Sequence, residues 1–361
     1  SPDIPGRPIF NSGCLGLLGA GMEMILIAFS DSYIFLNARN KREFIVSSNS
    51  VRLFAFCKPE TTNKKMDHLD EYMEVAIGLV KESGSLIKEH GLGCDSFELK
   101  SCDIDFVTQV DQNVEENLIK GLSTKFPSHK FIGEESTANG AKCVLTDEPT
   151  WIIDPVDGTM NFVHGFPHSC ISVGLLINKE AVGGIVYNPI LEQLFTASKG
   201  KGAFYNGKRI HTSKIKELNK ALITTEAGTS RDEEKVICVF ENFKTVVKNA
   251  HGIRTLGSAA LNMAMVAIGG ADANFEFGIH AWDIAAGDIL VREAGGVCID
   301  PAGGPFDIMS RRILCASTPE LAEELSKLLY QYYPDGFWPN LYDPLLASST
   351  SASYPVTLYS L

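Results

Sequence analysis

The stretch WIIDPVDGTMNF, Trp151 to Phe162, constrains the fold more than any other part of the chain. It opens as a buried apolar strand, Trp151-Ile152-Ile153, and ends on two aspartates three residues apart, Asp154 and Asp157. Pro155 stiffens the turn between them. Gly158, Thr159 and Asn161 then start a new segment at once. Carboxylates held this close repel each other, so a positive charge belongs between them. The Val156 carbonyl lies between the two as a third oxygen. Oxygen-only ligands suit a hard ion such as Mg²⁺. Free N–H groups at Gly158 and Thr159 suit a phosphate. Asp and Gly also build turns that hold no ligand, so this stretch alone leaves both readings open.

Bulk charge narrows the partners. The 361 residues carry a formal net charge of −12, which argues against a nucleic-acid or anionic-membrane surface. Such a chain can collect cations, and a phosphate-bearing substrate would need metal to mask the repulsion. Hydrophobic content of 45% and charged content of 21% are globular values, and the length gives ample core. Nine scattered cysteines with no CxxC pair point to a reduced, cytoplasmic setting. None of the eight histidines is read as a zinc ligand.

Along the chain, residues 1–65 differ from the rest. Cys14 to Ser30 is apolar but short, and Glu23 interrupts it, which argues against a membrane span. Upstream sequence translated in frame or a spliced leader is the plainer reading, with Met66 the natural start. Leu69, Met73, Ala76, Ile77, Val80, Gly84 and Ile87 then predict one helical face, ended by Gly91 and Gly93. A second helix is expected after Thr108, with Val110, Val114, Leu118 and Leu122 inward and Pro127 closing it; Thr108 and Asp111 resemble a capping box. Strands follow at Lys130–Ile132, Trp151–Ile153, Ile171–Ile177, Gly184–Tyr187 and Gln193–Ala197. Asn206-Gly207 marks a tight hairpin. Beyond it the pattern alternates: strand Ala221–Thr225, helix Asp232–Val247, a helix begun by Ser258, strand Ala273–Phe277 and helix Asp283–Glu293. Strands Val297–Asp300 and Ile313–Ala316, and a helix from Pro319 capped by Thr318, complete it. Antiparallel sheet first and β/α alternation second predict an α+β fold of two sheet layers with helices between and outside. Residues 337–361 lose all periodicity and read as an irregular tail.

Further acidic clusters sit at strand ends. Gly133-Glu134-Glu135-Ser136 follows an apolar strand, although a lone Glu pair is most often a solvated loop. His280-Ala281-Trp282-Asp283 comes late, and Asp283 alone reads as a helix N-cap. Asp105 and Asp111 flank Thr108. Asp288 and Glu293 are expected to face solvent or pair locally. Gly257-Ser258-Ala259 starts a helix and can present N–H groups to a ligand. Glu276 ends a strand and reads alone as exposed.

Taken together these motifs become specific. WIIDPVDGTMNFVH (151–164) resembles the first signature of the inositol monophosphatase family, and WDIAAGDILVREAGG (282–296) resembles the second. GEES (133–136) resembles the family's metal-ligand glutamate position. The resemblance runs from about Met66 to Tyr333. Val156 replaces the usual isoleucine and Met160 a common threonine, neither of which touches the chemistry.

The resemblance implies a layered α-β-α-β-α sandwich, usually a homodimer, over a catalytic domain of residues 66–336. It implies Mg²⁺-dependent hydrolysis of myo-inositol monophosphates, with lithium inhibition. Glu134, Asp154 and the Val156 carbonyl match ligands of a first ion; Asp154, Asp157 and Asp283 match those of a second; Glu134 with water matches a third, weaker one. Thr159 and Glu134 match the groups that orient the attacking water, with Asp111 behind Thr159. Gly158 and Thr159 match phosphate contacts. Asp157, Ala259 and Glu276 match contacts to inositol hydroxyls, with Gly257, Ser258 and Asp283 alongside. Two alternatives stay open on sequence: the same chemistry on 3′-phosphonucleotides or sugar phosphates, and a metal- or lithium-binding protein without catalysis.

Overall fold

The computed structural model describes residues 68–91 and 109–334, together with the backbone of five short strands. Those strands are β1 (Met24–Phe29), β2 (Ser32–Asn37), β3 (Arg42–Ser47), β4 (Glu98–Leu99) and β5 (Phe106–Val107). The chain divides into two units, residues 1–68 and 69–361. In the first, β1, β2 and β3 form an antiparallel three-stranded sheet. The expected break at Gly93, the cap at Thr108, the carboxylate of Asp105 and the tail 337–361 lie outside the described residues. No helix among the described residues is long and apolar enough to cross a membrane.

The second unit begins with the two expected amphipathic helices. Helix α1 (Leu69–His90) buries Leu69, Met73, Ala76, Val80, Gly84 and Ile87. Gly91 donates its amide to the Ile87 and Lys88 carbonyls and, at φ +83, turns the chain out of the helix in the left-handed conformation that glycine tolerates. Helix α2 (Gln109–Lys125) buries Val110, Val114, Leu118 and Leu122, and with them two carboxylates, Asp111 and Glu115. Periodicity gave the helices; it gave no reason for those acids to face inward.

Seven strands form the larger sheet: β6 (Lys130–Gly133), β7 (Thr150–Asp157), β8 (Cys170–Ile177), β9 (Glu180–Asn188), β10 (Gln193–Ser198), β11 (Gly202–Tyr205) and β12 (Lys208–Ile210). They lie in the order β12-β11-β10-β9-β8-β7-β6. Every neighbouring pair is antiparallel except β6 and β7, which run parallel. The short helices α3 (Glu134–Ala138) and α4 (Thr159–Val163) leave the ends of β6 and β7.

A five-stranded sheet follows, built from β13 (Leu222–Thr225), β14 (Gly252–Arg254), β15 (Ala273–Phe277), β16 (Val297–Ile299) and β17 (Arg312–Ala316), in the order β14-β13-β15-β17-β16. Strand β14 has too short an apolar run to show in the sequence; parallel pairing with β13 defines it. The helices here are α5 (Glu233–Asn249), α6 (Ala259–Ala267), α7 (Ala281–Glu293) and α8 (Pro319–Ser326). Asp232, Ser258 and Thr318 cap α5, α6 and α8 through their side-chain oxygens.

The layers stack as α1/α2, large sheet, α6/α7, small sheet, α5/α8, an α-β-α-β-α sandwich. Helix α7 lies closest to the large sheet because two glycines open a groove for it. Gly174 on β8 and Gly184 on β9 are cross-strand partners. A Cβ on Gly174 would stand 2.5 Å from the Ala285 Cβ, and one on Gly184 2.7 Å from the Ala286 carbonyl oxygen. Flat backbone thus meets small side chains, and the N-terminal end of α7 is held against the sheet. The expected test is Gly184→Val, which should destabilise by about 1–3 kcal/mol through overpacking. Gly78→Ala, where an added Cβ on α1 meets nothing within 4 Å, should stabilise by up to about 1 kcal/mol. Urea titration of both variants checks the pair.

Candidate active site

Parallel pairing of β6 with β7 is what joins the first two acidic clusters. Gly133 pairs with Ile153, so Glu134 and Asp154 leave adjacent strands at the same level and the same end. Asp154 and Asp157 pose a second geometric problem, because residues three apart on a regular strand face opposite ways. The β7–β8 register shifts between them, a bulge that also houses Pro155 inside a central strand. The Val156 amide freed by the bulge donates to Asp154 Oδ1 at 3.1 Å.

Asp283 arrives from the central layer. It is not the N-cap of α7, since the helix begins at Ala281 and His280 holds the cap position. Asp283 is the third helical residue and accepts the His280 N–H on Oδ2 at 2.6 Å. Ser172, the β8 partner of Asp154, donates its hydroxyl to the Trp282 carbonyl at 3.1 Å and ties this turn to the large sheet. Ligand oxygens of Asp154, Asp157 and Asp283 all lie within 4.8 Å of one another, and this is the one such acidic cluster among the described residues.

Electrostatics matches that crowding. Burial, then the charges of Glu134, Asp157 and Asp283, push the Asp154 carboxyl well above its usual range. Burial, then Asp157 and Glu134, do the same to Asp283. Asp157 rises to about 6 because of burial, even though Ser258 and Ala260 hydrogen bonds pull it down. An oxygen-only set whose members are desolvated and mutually repelling fits a hard divalent cation.

Asp157 is the best anchored of the group. Its Oδ2 accepts the Ser258 hydroxyl at 2.5 Å and the Ala260 amide at 2.8 Å. Ser258 therefore caps α6 and holds an acid at the same time. Thr159 stands beside the cluster. Its hydroxyl lies 2.9 Å from the Val156 carbonyl oxygen and 3.3 Å from Asp111 Oδ1, both acceptors. One hydroxyl proton serves one of them at a time. Gly158 has φ +87, and a Cβ there would lie 2.9 Å from the Gly257 carbonyl oxygen, so only glycine lets the two loops touch.

Glu276 is not an exposed strand end. It lies buried on β15, accepts from Asn274 Nδ2 at 3.2 Å, and is pushed up by burial and then by Glu226, Asp157 and Asp283. The GEES pair is not a solvated loop either: Glu135 is buried and Glu134 half-buried. Asp288 does pair locally, with Arg292 at 2.7 Å, but inside the protein. Glu293 reaches across to the Gly200 and Gly202 amides, both at 2.8 Å. Gly257, Ser258 and Ala259 form the turn into α6 that faces Asp157.

Two acids in this region carried no usable sequence signal. Glu115 accepts the Glu135 and Ser136 amides, both at 2.8 Å, and so fixes the start of α3 that carries Glu134. Gly133 permits this, since a Cβ there would sit 2.5 Å from the Glu115 carboxyl. Glu226 accepts from the Leu256 amide, the Gly257 amide and Asn262 Nδ2 at 2.7–2.8 Å. His164 and His168 stand four apart, a spacing that holds zinc on a helix. Here α4 ends at Val163, so the two share no helical face.

A layered sandwich with buried acids at the ends of its strands and central helix defines a metal-dependent phosphatase class. The inositol monophosphatase family model matches residues 68–333, and the chain belongs to that family. Inositol monophosphatase 1 of Homo sapiens is 48% identical over 262 residues, 72% of this chain and 95% of that protein. Among solved structures, the IMPase of Thermotoga maritima is 33% identical with a TM-score of 0.63, covering 73% of this chain and 96% of that one. SaIMPase-II, solved with 2′-AMP bound, is 27% identical with a TM-score of 0.59, covering 73% and 93%.

The raised carboxyls give a signed stability effect. A native pKa above the unfolded value means that the folded protein holds more protons, so the cation-free protein loses stability as pH rises from about 4 through about 6. Thermal melts in chelator should show a lower Tm at pH 7 than at pH 5. An added divalent cation should raise Tm at pH 7 and do less at pH 5.

Proposed function

We propose that the chain hydrolyses myo-inositol monophosphates to myo-inositol and phosphate, using Mg²⁺ held by the clustered carboxylates. The observation that carries this reading is the convergence of Asp154, Asp157 and Asp283 within 4.8 Å in a member of the inositol monophosphatase family. Glu134, Asp154 and the Val156 carbonyl are the ligands for one ion. Asp154, Asp157 and Asp283 serve a second, and Glu134 with water a third, weaker one. Bound there, magnesium supplies neutralisation of phosphate charge, a more acidic water and stabilisation of the leaving oxygen.

The chain's own groups position the reactants. Thr159 and Glu134 orient the attacking water. Asp111, 3.3 Å behind the Thr159 hydroxyl, accepts its proton and turns a lone pair of that oxygen toward the water. Gly158 and Thr159 offer backbone N–H groups to the phosphate. Asp157, Ala259 and Glu276 receive the inositol hydroxyls, with Gly257, Ser258 and Asp283 shaping the same wall. Carboxylate oxygens suit the hydroxyls of a polyol, since they accept hydrogen bonds from them.

We further assign residues 66–336 as the catalytic domain, flanked by segments outside the family pattern. The enzyme acts in the cytoplasm as a homodimer and is inhibited by lithium competing at a magnesium position. A second reading keeps the chemistry with a nucleotide monoester as substrate, and the 2′-AMP-bound relative favours it.

Phosphate release from inositol 1-phosphate, a 3′,5′-bisphosphonucleotide and fructose 1,6-bisphosphate separates the readings. The expected result is preference for inositol 1-phosphate with Mg²⁺, lost on adding Li⁺. Preference for the nucleotide would replace the substrate and keep the mechanism; no release from folded protein would overturn both. Asp154→Asn should lower kcat by more than the roughly 10–100-fold typical of supporting residues around a metal, with an unchanged circular dichroism spectrum. Retained turnover would remove Asp154 from the ligand set.

A further inference from the structure

Resting on the metal assignment above, we propose that Glu226 is a positioning residue for the cation site, acting through the turn that holds Asp157. Glu226 follows β13, on the small sheet, whereas Asp157 ends a strand of the large one. Residues 256–260 connect them. Glu226 Oε1 accepts the Leu256 amide at 2.7 Å, the Gly257 amide at 2.8 Å and the Asn262 side-chain amide at 2.7 Å. The same turn then delivers the Ser258 hydroxyl and the Ala260 amide to Asp157 Oδ2.

The turn is gripped from its other side too. Asn161 Nδ2 donates to the Leu256 carbonyl at 2.7 Å and to the His168 carbonyl at 2.8 Å. Gly257, at φ +84, comes so near that a Cβ would lie 2.7 Å from Asn161 Nδ2. One peptide unit, Leu256–Gly257, is thus fixed on its N–H side by Glu226 and on its carbonyl side by Asn161. Fixing it fixes Ser258, and with it Oδ2 of Asp157, which accepts from the Ser258 hydroxyl, the Ala260 amide and, at 3.8 Å, the Cys170 thiol.

A merely structural account does not explain why an acid does this. Glu226 is largely desolvated and close enough to Glu276 to be the first charge raising it. Two carboxylates so placed are costly. Three donors converging on one oxygen offset that cost, and neutral groups would hold the turn less firmly.

Calorimetric titration of the metal-free full chain with MgCl₂ alone tests the proposal without substrate. Glu226→Ala should weaken Mg²⁺ about tenfold, in the range for groups supporting a metal ligand, with the thermal melt still cooperative. Glu226→Gln, which keeps an acceptor oxygen but not its charge, should recover only part of that loss. Ser258→Ala should weaken Mg²⁺ similarly, and the double variant should be no weaker than the worse single one within about threefold, because both changes act on one path. Wild-type affinity in Glu226→Ala, equal losses in the Ala and Gln variants, or multiplying losses in the double variant would each overturn it. If Glu226→Ala does not fold, Asn161→Ala releases the same turn from its other side, and unchanged Mg²⁺ affinity there overturns it equally. Failure of the unsubstituted chain to bind Mg²⁺ would instead count against the metal assignment itself.

Discussion

Repulsion among clustered carboxylates is the constraint on which the rest of the structure depends. Asp154, Asp157 and Asp283 stand within 4.8 Å of one another, and the charge of Glu134 raises all three. Left to themselves such groups would separate or take up protons. Each is instead tied by backbone N–H or hydroxyl donors: Val156 for Asp154, Ser258 and Ala260 for Asp157, His280 for Asp283. These donors belong to one bulge and two helix starts, places where amide groups have no partner in their own element. The fold turns unsatisfied backbone ends into clamps for acids.

The layers serve the same end. Helices α6 and α7 fill the space between the sheets with small apolar side chains, and their first turns emerge where β7 ends. Their close seating requires the facing glycines of β8 and β9. Apolar packing thus sets the positions of polar groups to a tolerance that loops alone would not give. The small sheet contributes from its far side: β15 brings Glu276, and Glu226 follows β13.

Much of this was legible in residues. Periodicity showed the two amphipathic helices, Asn206-Gly207 showed the hairpin, and Ser258 and Thr318 showed their helix starts. The acids of the two signatures and of GEES were legible as candidates through the family resemblance. Local sequence failed wherever a side chain's role came from a distant partner. Asp283 read as a cap because Asp before an apolar run is one in most helices, whereas His280 had already taken the position. Glu276 read as exposed because nothing next to it says that it is buried near Glu226, Asp157 and Asp283. Glu115 and Glu226 were not singled out at all, because their amide partners lie 20–21 and 30–36 residues away.

The sequence by itself determined the elements, the apolar faces and the chemical character of the site: hard oxygen donors, placed at strand ends and helix starts, on a chain too acidic to bind phosphate unaided. Those properties follow from side-chain type and short-range spacing. Tertiary structure decided which acids meet. The parallel pairing of β6 with β7 set Glu134 beside Asp154, the bulge brought Asp157 round, and the glycine groove drew Asp283 inward. Strand direction, register and interlayer distance depend on burying apolar area across the whole domain, and no local run of residues encodes them.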